Sequence, residues 1–198
     1  MRLAPARAQP MASAESVASS PVRYVFDTLT VRTGAGEGEL EPTQEISLHD
    51  ITPQIQAMVD ETGISEGTVN VISQHTTTAL TINEYESRLL EDVRDFMLRV
   101  APPDYPYKHN DLHLRPASDE DYARIERNWM SQGRGTLEEF MAQEPINAHS
   151  HLCVMLFGAS ETIPVSNGRL CIGQWQSIIL VDFDGPRERK VGVQVVGA

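Results

Sequence analysis

Six histidines stand in the 198-residue chain, and four of them sit in polar settings where an imidazole can do chemistry. His75 opens the stretch "HTTTALTINE", His109 lies in "YKHND", and His149 and His151 share "NAHSH". Histidines this far apart are what a cysteine-free metal site assembled from several strands and loops requires. No HExxH or other tight ligand pair is present. The spacing therefore equally allows scattered histidines satisfied by hydrogen bonds. His49, beside a helix start, and His113, in a polar loop, fit that second description. His151 is different, because the apolar run "LCVMLFG" follows it directly. Strand alternation would place His151 on one face with Cys153, Met155 and Phe157, and His149 as well if the strand begins early. A buried imidazole needs a partner, and a metal is one such partner.

Around these histidines lie groups suited to an anion. Thr76, Thr77 and Thr78 are ordinary β-branched strand residues singly, yet three hydroxyls beside a histidine can also bind phosphate oxygens. Asn83 and Glu84 end the same run just before a helix. Glu84 either adds negative charge at that helix N-terminus or serves as a general base or a histidine's partner. Near the C-terminus "GQWQS" sets Trp175 beside Gln176. Asp184, Gly185 and Pro186 then form turn chemistry suited to a hairpin, followed by Arg187 and Arg189. This cationic pair offers a grip on an anionic substrate in an otherwise acidic chain. No Walker-type loop, GxGxxG or GxSxG elbow occurs, which argues against nucleotide-triphosphate, dinucleotide and serine-hydrolase chemistry.

The elements that must position these groups follow from patterning. "VRYVFDTLTVRT" alternates as a half-exposed strand, "GAGEGE" is a turn, and "EISLHD" a short strand. "DITPQIQAMVDETG" is a helix, capped by Asp50 or Thr52, with Pro53 in its first turn and Gly63 at its stop. "GTVNVIS" and "ALTINEY" are strands, the whole run Ser73–Glu86 being half-buried. "ESRLLEDVRDFMLRVAP" places Leu89, Leu90, Val93, Phe96, Met97 and Val100 at helical spacing. The proline-rich "PPDYPYKHNDLHLRP" is irregular, and residues 119–131 and 136–143 form two exposed, charged helices. "HLCVMLFG", "ETIPV", "RLCIG", "QSIILVDF" and "KVGVQVVG" are strand material. Strands thus flank a helical middle without regular βαβ alternation, which predicts an α+β fold built on antiparallel sheets.

Composition narrows the partners. Sixteen Lys and Arg against 28 Asp and Glu give a formal charge of -12, which repels nucleic-acid backbones and anionic lipid. No apolar run approaches the roughly 20 residues of a membrane span. Cys153 and Cys171, the only cysteines, both lie in apolar runs and read as reduced core residues of a cytoplasmic protein. Any metal then falls to the histidines. Residues 1–21 read as a disordered tail, with an early start codon ahead of Met11 as one explanation and a targeting segment for organellar import as another, since Arg2 and Arg7 precede the first acid, Glu15. Residues 22–198 read as a single domain.

These motifs, in this order, resemble the YjbQ family, also called secondary thiamine-phosphate synthase-like proteins. The resemblance runs over about residues 22–198 through "HTTTALTINE", "YKHND", "NAHSHL" and "LFGASETIPVSNGRLCIGQWQSIILVDFDGPRERKV". It implies two packed, mainly antiparallel sheets with external helices, assembled as a homotrimer with a pocket near a subunit boundary. It also implies a divalent metal held by His75, His109 and His151, with Asn83 and Glu84 completing the pocket. Zinc suits three imidazoles, whereas magnesium, the usual companion of pyrophosphate, prefers oxygen ligands. The activity implied is a weak thiamine-phosphate synthesis, joining a pyrimidine pyrophosphate to a thiazole phosphate with release of pyrophosphate. In that reaction Glu84, Asn83 and Arg187 would be catalytic, and Thr76, Thr77, Trp175 and Gln176 would bind the phosphorylated ligand. Two other readings stand beside it: a zinc-dependent hydrolase of a small phosphorylated or amide substrate with Glu84 as general base, and a non-catalytic metal- or ligand-binding trimer. The chain departs from the family pattern by an insertion at about residues 111–145 and by His149, which stands where many members carry an acid.

Overall fold

The computed structural model of the chain describes residues 21–34 and 46–198. Of the expected tail at 1–21, residues 1–20 lie outside the described residues, as do the turn and strand start within 35–45. Five strands form one antiparallel sheet in the order β1-β8-β3-β5-β6, and three form a second in the order β2-β7-β4. The strands are β1 (Arg23–Arg32), β2 (Ser47–Asp50), β3 (Glu66–Ser73), β4 (Thr78–Asn83), β5 (Ser160–Ser166), β6 (Arg169–Leu170), β7 (Ser177–Asp182) and β8 (Glu188–Gly197). The helices are α1 (Thr52–Thr62), α2 (Ser87–Val100), α3 (Asp119–Asn128), α4 (Leu137–Gln143) and α5 (Ala148–Val154). The α+β expectation of two antiparallel sheets with external helices holds.

Hydrophobic patterning explains the layers. Val69 and Val71 of β3 and Val191, Val193 and Val195 of β8 turn one face of the large sheet inward. They meet Ile55 and Val59 of α1 and, from the small sheet, Leu80, Ile178 and Leu180. The opposite face of the small sheet carries Ala79, Ile179, Val181 and Leu48 against Leu90 and Met97 of α2 and Cys153 of α5. The small sheet is therefore covered on both sides, which is why "SIILVD" is a continuous apolar run without alternation. Each fully buried Ile or Leu removed from water contributes about 1.5–3 kcal/mol.

Local chemistry sets the ends. Gly63 closes α1 in the left-handed conformation at φ 65°, as its position after the last apolar residue predicts. Glu86 caps α2 through its carboxylate, which accepts from the backbone N–H groups of Arg88 and Leu89. Gly67 and Gly197 are register partners, and a Cβ on Gly67 would stand 2.1 Å from the Val196 carbonyl oxygen. Only glycine lets those two strands approach so closely.

Several expectations are corrected. "HLCVMLFG" is not a strand: residues 148–154 form α5, with Ala148, His149, Ser150 and Cys153 buried at helical spacing and Met155 and Leu156 exposed. The run holds a single β-branched residue, Val154, and its Leu and Met side chains lose little freedom in a helix. The Asp184–Pro186 turn does not close a hairpin, because β7 and β8 belong to different sheets. It carries the chain from one layer to the other. The run from Ser73 is not one continuous strand either: a turn occupies residues 75–77 and β4 begins at Thr78. On α2, Phe96 and Val100 face outward, and Cys171 is exposed, against its expected core position.

At the layer change Asp182, fully buried, receives Arg189 Nε on Oδ2 at 2.8 Å and Arg189 Nη2 on Oδ1 at 2.7 Å. Asp182 also accepts from Thr33 Oγ1 at 2.5 Å and from the Asp184 N–H at 2.9 Å. Removing one partner of such a pair strands the other charge in the interior. Asp182→Asn is expected to lower the unfolding free energy by about 3–5 kcal/mol. A double replacement of Asp182 and Arg189 by Leu and Met should recover much of that loss in urea denaturation.

Candidate functional site

The layer change also builds a cavity of about 400 Å³ whose walls come from distant parts of the chain. His75, Thr76 and Thr77 stand on the turn between β3 and β4. His109 lies in a short 3-10 turn, Lys108–Asn110, and His151 on α5. Asp184, Arg187 and Arg189 come from the link between the sheets, and Arg115, Phe140 and Glu144 from the 111–145 segment. Of the residues marked out by sequence, His75, His109, His151, Thr76, Thr77 and Arg187 are thus brought together.

Specific bonds hold His75, Arg187 and the two segments that carry His109 and His151. His75 Nε2 accepts the backbone N–H of Lys190 at 2.8 Å, and the Gln74 N–H donates to the Lys190 carbonyl at 3.1 Å. These two bonds tie the histidine turn to β8. The Asn110 side-chain oxygen accepts the Ala148 N–H at 3.0 Å, docking the His109 turn against the start of α5. Asn147 Nδ2 donates to Asp184 Oδ2 at 2.9 Å, and Ser150 Oγ donates to the Phe183 carbonyl at 2.5 Å. These bonds fix α5 on the inter-sheet link, which leaves the His109 and His151 rings edge to face with centroids 5.0 Å apart. Arg187 Nη2 stands 3.3 Å from Asp184 Oδ2, and the Arg187 N–H donates to Thr33 Oγ1. Asn110, Asn147 and Asp184 escaped notice as site residues. Their signal was adjacency, since "KHN" and "NAHSH" each set an asparagine one to four positions from a motif histidine.

Four other residues go elsewhere. In the ladder between β4 and β7, Thr78 pairs with Asp182 at the cavity end and Asn83 with Ser177 at the other. Five residues of strand separate the two ends by about 17 Å at 3.3–3.4 Å each. Asn83 and Glu84 are exposed at the far end, next to Trp175, which is 71 % exposed, and Gln176, which turns back to accept the Gly173 N–H. A straight strand carries its two ends apart, so one chain does not bring Glu84 to His75.

The histidines differ in what they can ligate. Two imidazoles bound tetrahedrally at Zn–N distances of about 2.0–2.1 Å hold their ring centroids roughly 5 Å apart, and His109 and His151 are so spaced. His75 does not fit as the third ligand, since its Nε2 lone pair is taken by Lys190 and a neutral ring then carries its proton on Nδ1. No group of three or more His, Cys, Asp or Glu side chains is disposed to hold a metal among the described residues. Desolvation holds the pKa of His75 below its ordinary value, with Arg189 adding to it, and desolvation with Arg115 does the same for His109. Both rings are therefore neutral at pH 7. His149, which alternation would put on one face with His151 if the strand began early, is instead fully buried on α5 and outside the cavity's lining, its Nδ1 without a hydrogen-bond partner among the described residues.

The Lys190 bond makes His75 an Nδ1–H donor. Nitrogen-15 NMR of the histidine rings should show the Nδ1–H tautomer for His75, and midpoints for His75 and His109 below the ordinary value of about 6.5. An Nε2–H tautomer at His75 would refute the assignment.

The chain matches known proteins over most of its length. Residues 37–198 match the family described as "UPF0047 protein YjbQ-like". A UPF0047 protein of Methanothermobacter thermautotrophicus is 35% identical over 158 residues, 80% of this chain and 88% of that one. The UPF0047 protein YugU of Bacillus subtilis is 30% identical over 160 residues, 80% of this chain and 96% of its own. Among solved structures, a YbjQ-like protein of unknown function from Sulfolobus solfataricus superposes with a TM-score of 0.65 at 30% identity, covering 89% of this chain and 99% of that one. A hypothetical protein from Aeropyrum pernix gives a TM-score of 0.64 at 29% identity, covering 88% of this chain and 99% of that one. In sequence as in fold, the chain belongs to the YjbQ/UPF0047 family.

Proposed function

We propose that the histidine-lined cavity binds a small phosphorylated ligand and acts on it with a divalent metal held by His109 and His151. The observation that carries this reading is the convergence of three histidines, two threonines and Arg187 on one cavity from segments distant in sequence. Imidazole ligands favour zinc, with magnesium the choice if a pyrophosphate supplies oxygen ligands. When bound, the metal neutralises charge developing on a phosphate or pyrophosphate group. The chain's own residues do the rest. His75 Nδ1–H donates to a ligand oxygen, Thr76 and Thr77 offer hydroxyls, and Arg187 supplies a cation half-shared with Asp184. Transfer with release of pyrophosphate, as in thiamine-phosphate synthesis, is one reaction such a set serves.

Asn83, Glu84, Trp175 and Gln176 join this site only if a neighbouring copy presents them. A homotrimer would do so, and exposed Trp175, Met155, Leu156, Tyr24 and Phe26 are the kind of apolar surface that other copies cover. The hydrolase reading, with Glu84 as general base, depends on the same arrangement, as Glu84 lies at the wrong end of its own strand.

Elemental analysis of protein purified without chelator should find about one metal per chain, by the logic of open catalytic sites. Undiminished metal in the His109→Ala, His151→Ala double variant would refute the metal assignment. Where Glu84 acts from a neighbour, mixing inactive His151→Ala and Glu84→Gln proteins should restore turnover, read as pyrophosphate or phosphate release. Failure of mixed assemblies, seen to form by light scattering, to regain any turnover would exclude the shared site.

A further inference from the structure

A second and larger cavity, of about 750 Å³, opens within and beside the 111–145 segment. Its walls carry Lys108, Arg115, Arg124 and Arg134, with Asp121 as their one carboxylate, in a chain whose formal charge is -12. A local excess of cations against so negative a background concentrates anions there. Asp121 is itself engaged, accepting from Ser118 Oγ at 2.9 Å, and Arg124 pairs with Glu120 at the surface.

Arg115 Nη1 is paired with Glu144 Oε2 at 2.9 Å, on the wall shared with the histidine cavity. One buried donor points to what is bound. The indole Nε1 of Trp129 is buried without a hydrogen-bond partner among the described residues. Leaving such a donor unmet costs about 1–3 kcal/mol, a cost that an acceptor atom on a ligand removes. Trp129 and Phe140 meet edge to face at 5.5 Å between centroids and form the apolar wall of the same cavity. The helices that carry these groups, α3 and α4, bury no residue of their own in the main cores. Holding the cavity is what their apolar side chains are placed to do.

We propose that this cavity is a binding site for an aromatic ring bearing a phosphate, distinct from the histidine cavity it adjoins through His109, Arg115 and Phe140. The ring packs on Trp129 and Phe140, while the phosphate takes the Trp129 N–H and the field of Lys108 and Arg134. The site needs no metal in the neighbouring cavity.

Isothermal titration of the full chain with phenyl phosphate, inorganic phosphate and phenol tests this. Phenyl phosphate should occupy the Trp129 site about tenfold more tightly than either fragment, a difference of about 1.4 kcal/mol, any second event at the histidine cavity being the one that His151→Ala removes. Arg134→Gln, at an exposed position, and Trp129→Phe, which keeps the ring packing but removes the N–H, should each weaken phenyl phosphate several-fold. His151→Ala should leave that binding unchanged even where it abolishes metal uptake. Phenyl phosphate binding no tighter than inorganic phosphate would overturn the proposal. So would binding that is indifferent to Arg134→Gln and Trp129→Phe but lost in His151→Ala, since the ligand would then occupy the histidine cavity. A metal-free protein that still binds phenyl phosphate through Arg134 would sustain this site while refuting the metal reading of the other.

Discussion

The buried pair between Asp182 and Arg189 is the contact on which the rest of the structure depends. Asp182 ends β7 in the small sheet and Arg189 is the second residue of β8 in the large one, so a single bidentate ion pair spans the layer change. Both charges are removed from water, and neither tolerates the loss of the other. Because Asp182 also takes Thr33 and the Asp184 N–H, the end of β1 and the inter-sheet link are pinned to the same carboxylate. Arg189 in turn donates from Nη2 to the Asp184 carbonyl at 2.9 Å, so the link is held from both ends.

The histidine cavity inherits that rigidity. Asp184, held in place beside the pair, receives Asn147 and Arg187, and Asn147 sets the start of α5 with His151. On the other side β8 continues to Lys190, whose N–H orients the His75 ring. His75 and Arg187 are thus each two hydrogen bonds from Asp182, and the start of α5 is joined to it by two through Asp184. A buried charge is costly as a way to stabilise a fold. Here it fixes orientation, which packed Val and Ile cannot do, since hydrophobic contact is non-directional.

Among the described residues, two cation-rich cavities share a wall at Arg115 and Phe140. One is made by the family's motifs and the other by the 111–145 segment. The chain as a whole carries a formal charge of -12, while the cavities present Arg and Lys locally. Net charge and local charge here have opposite signs, and a local field acts on a small ion within reach of it. Among the described residues no helix is long and apolar enough to cross a membrane.

Much of this was legible in the sequence, for physical reasons that differ by element. Alternating Val residues in "KVGVQVVG" and the glycine stop of α1 report local backbone preferences, so β8 and α1 followed directly. The antiparallel α+β class followed from the absence of βαβ alternation, and the family from ordered motifs around His75, His109 and His151. The fate of "HLCVMLFG" did not follow, because a short apolar run is equally a buried strand or a buried helix until a neighbour chooses its face. Nor did the separation of Glu84 from His75: ten residues suggest nearness, yet β4 is a rod that carries them to opposite ends of the sheet. Residue types and their order thus determined which chemistry the chain can hold. Which groups meet was decided by long-range pairing, above all that of Asp182 with Arg189, since contact depends on distance in space and not along the chain.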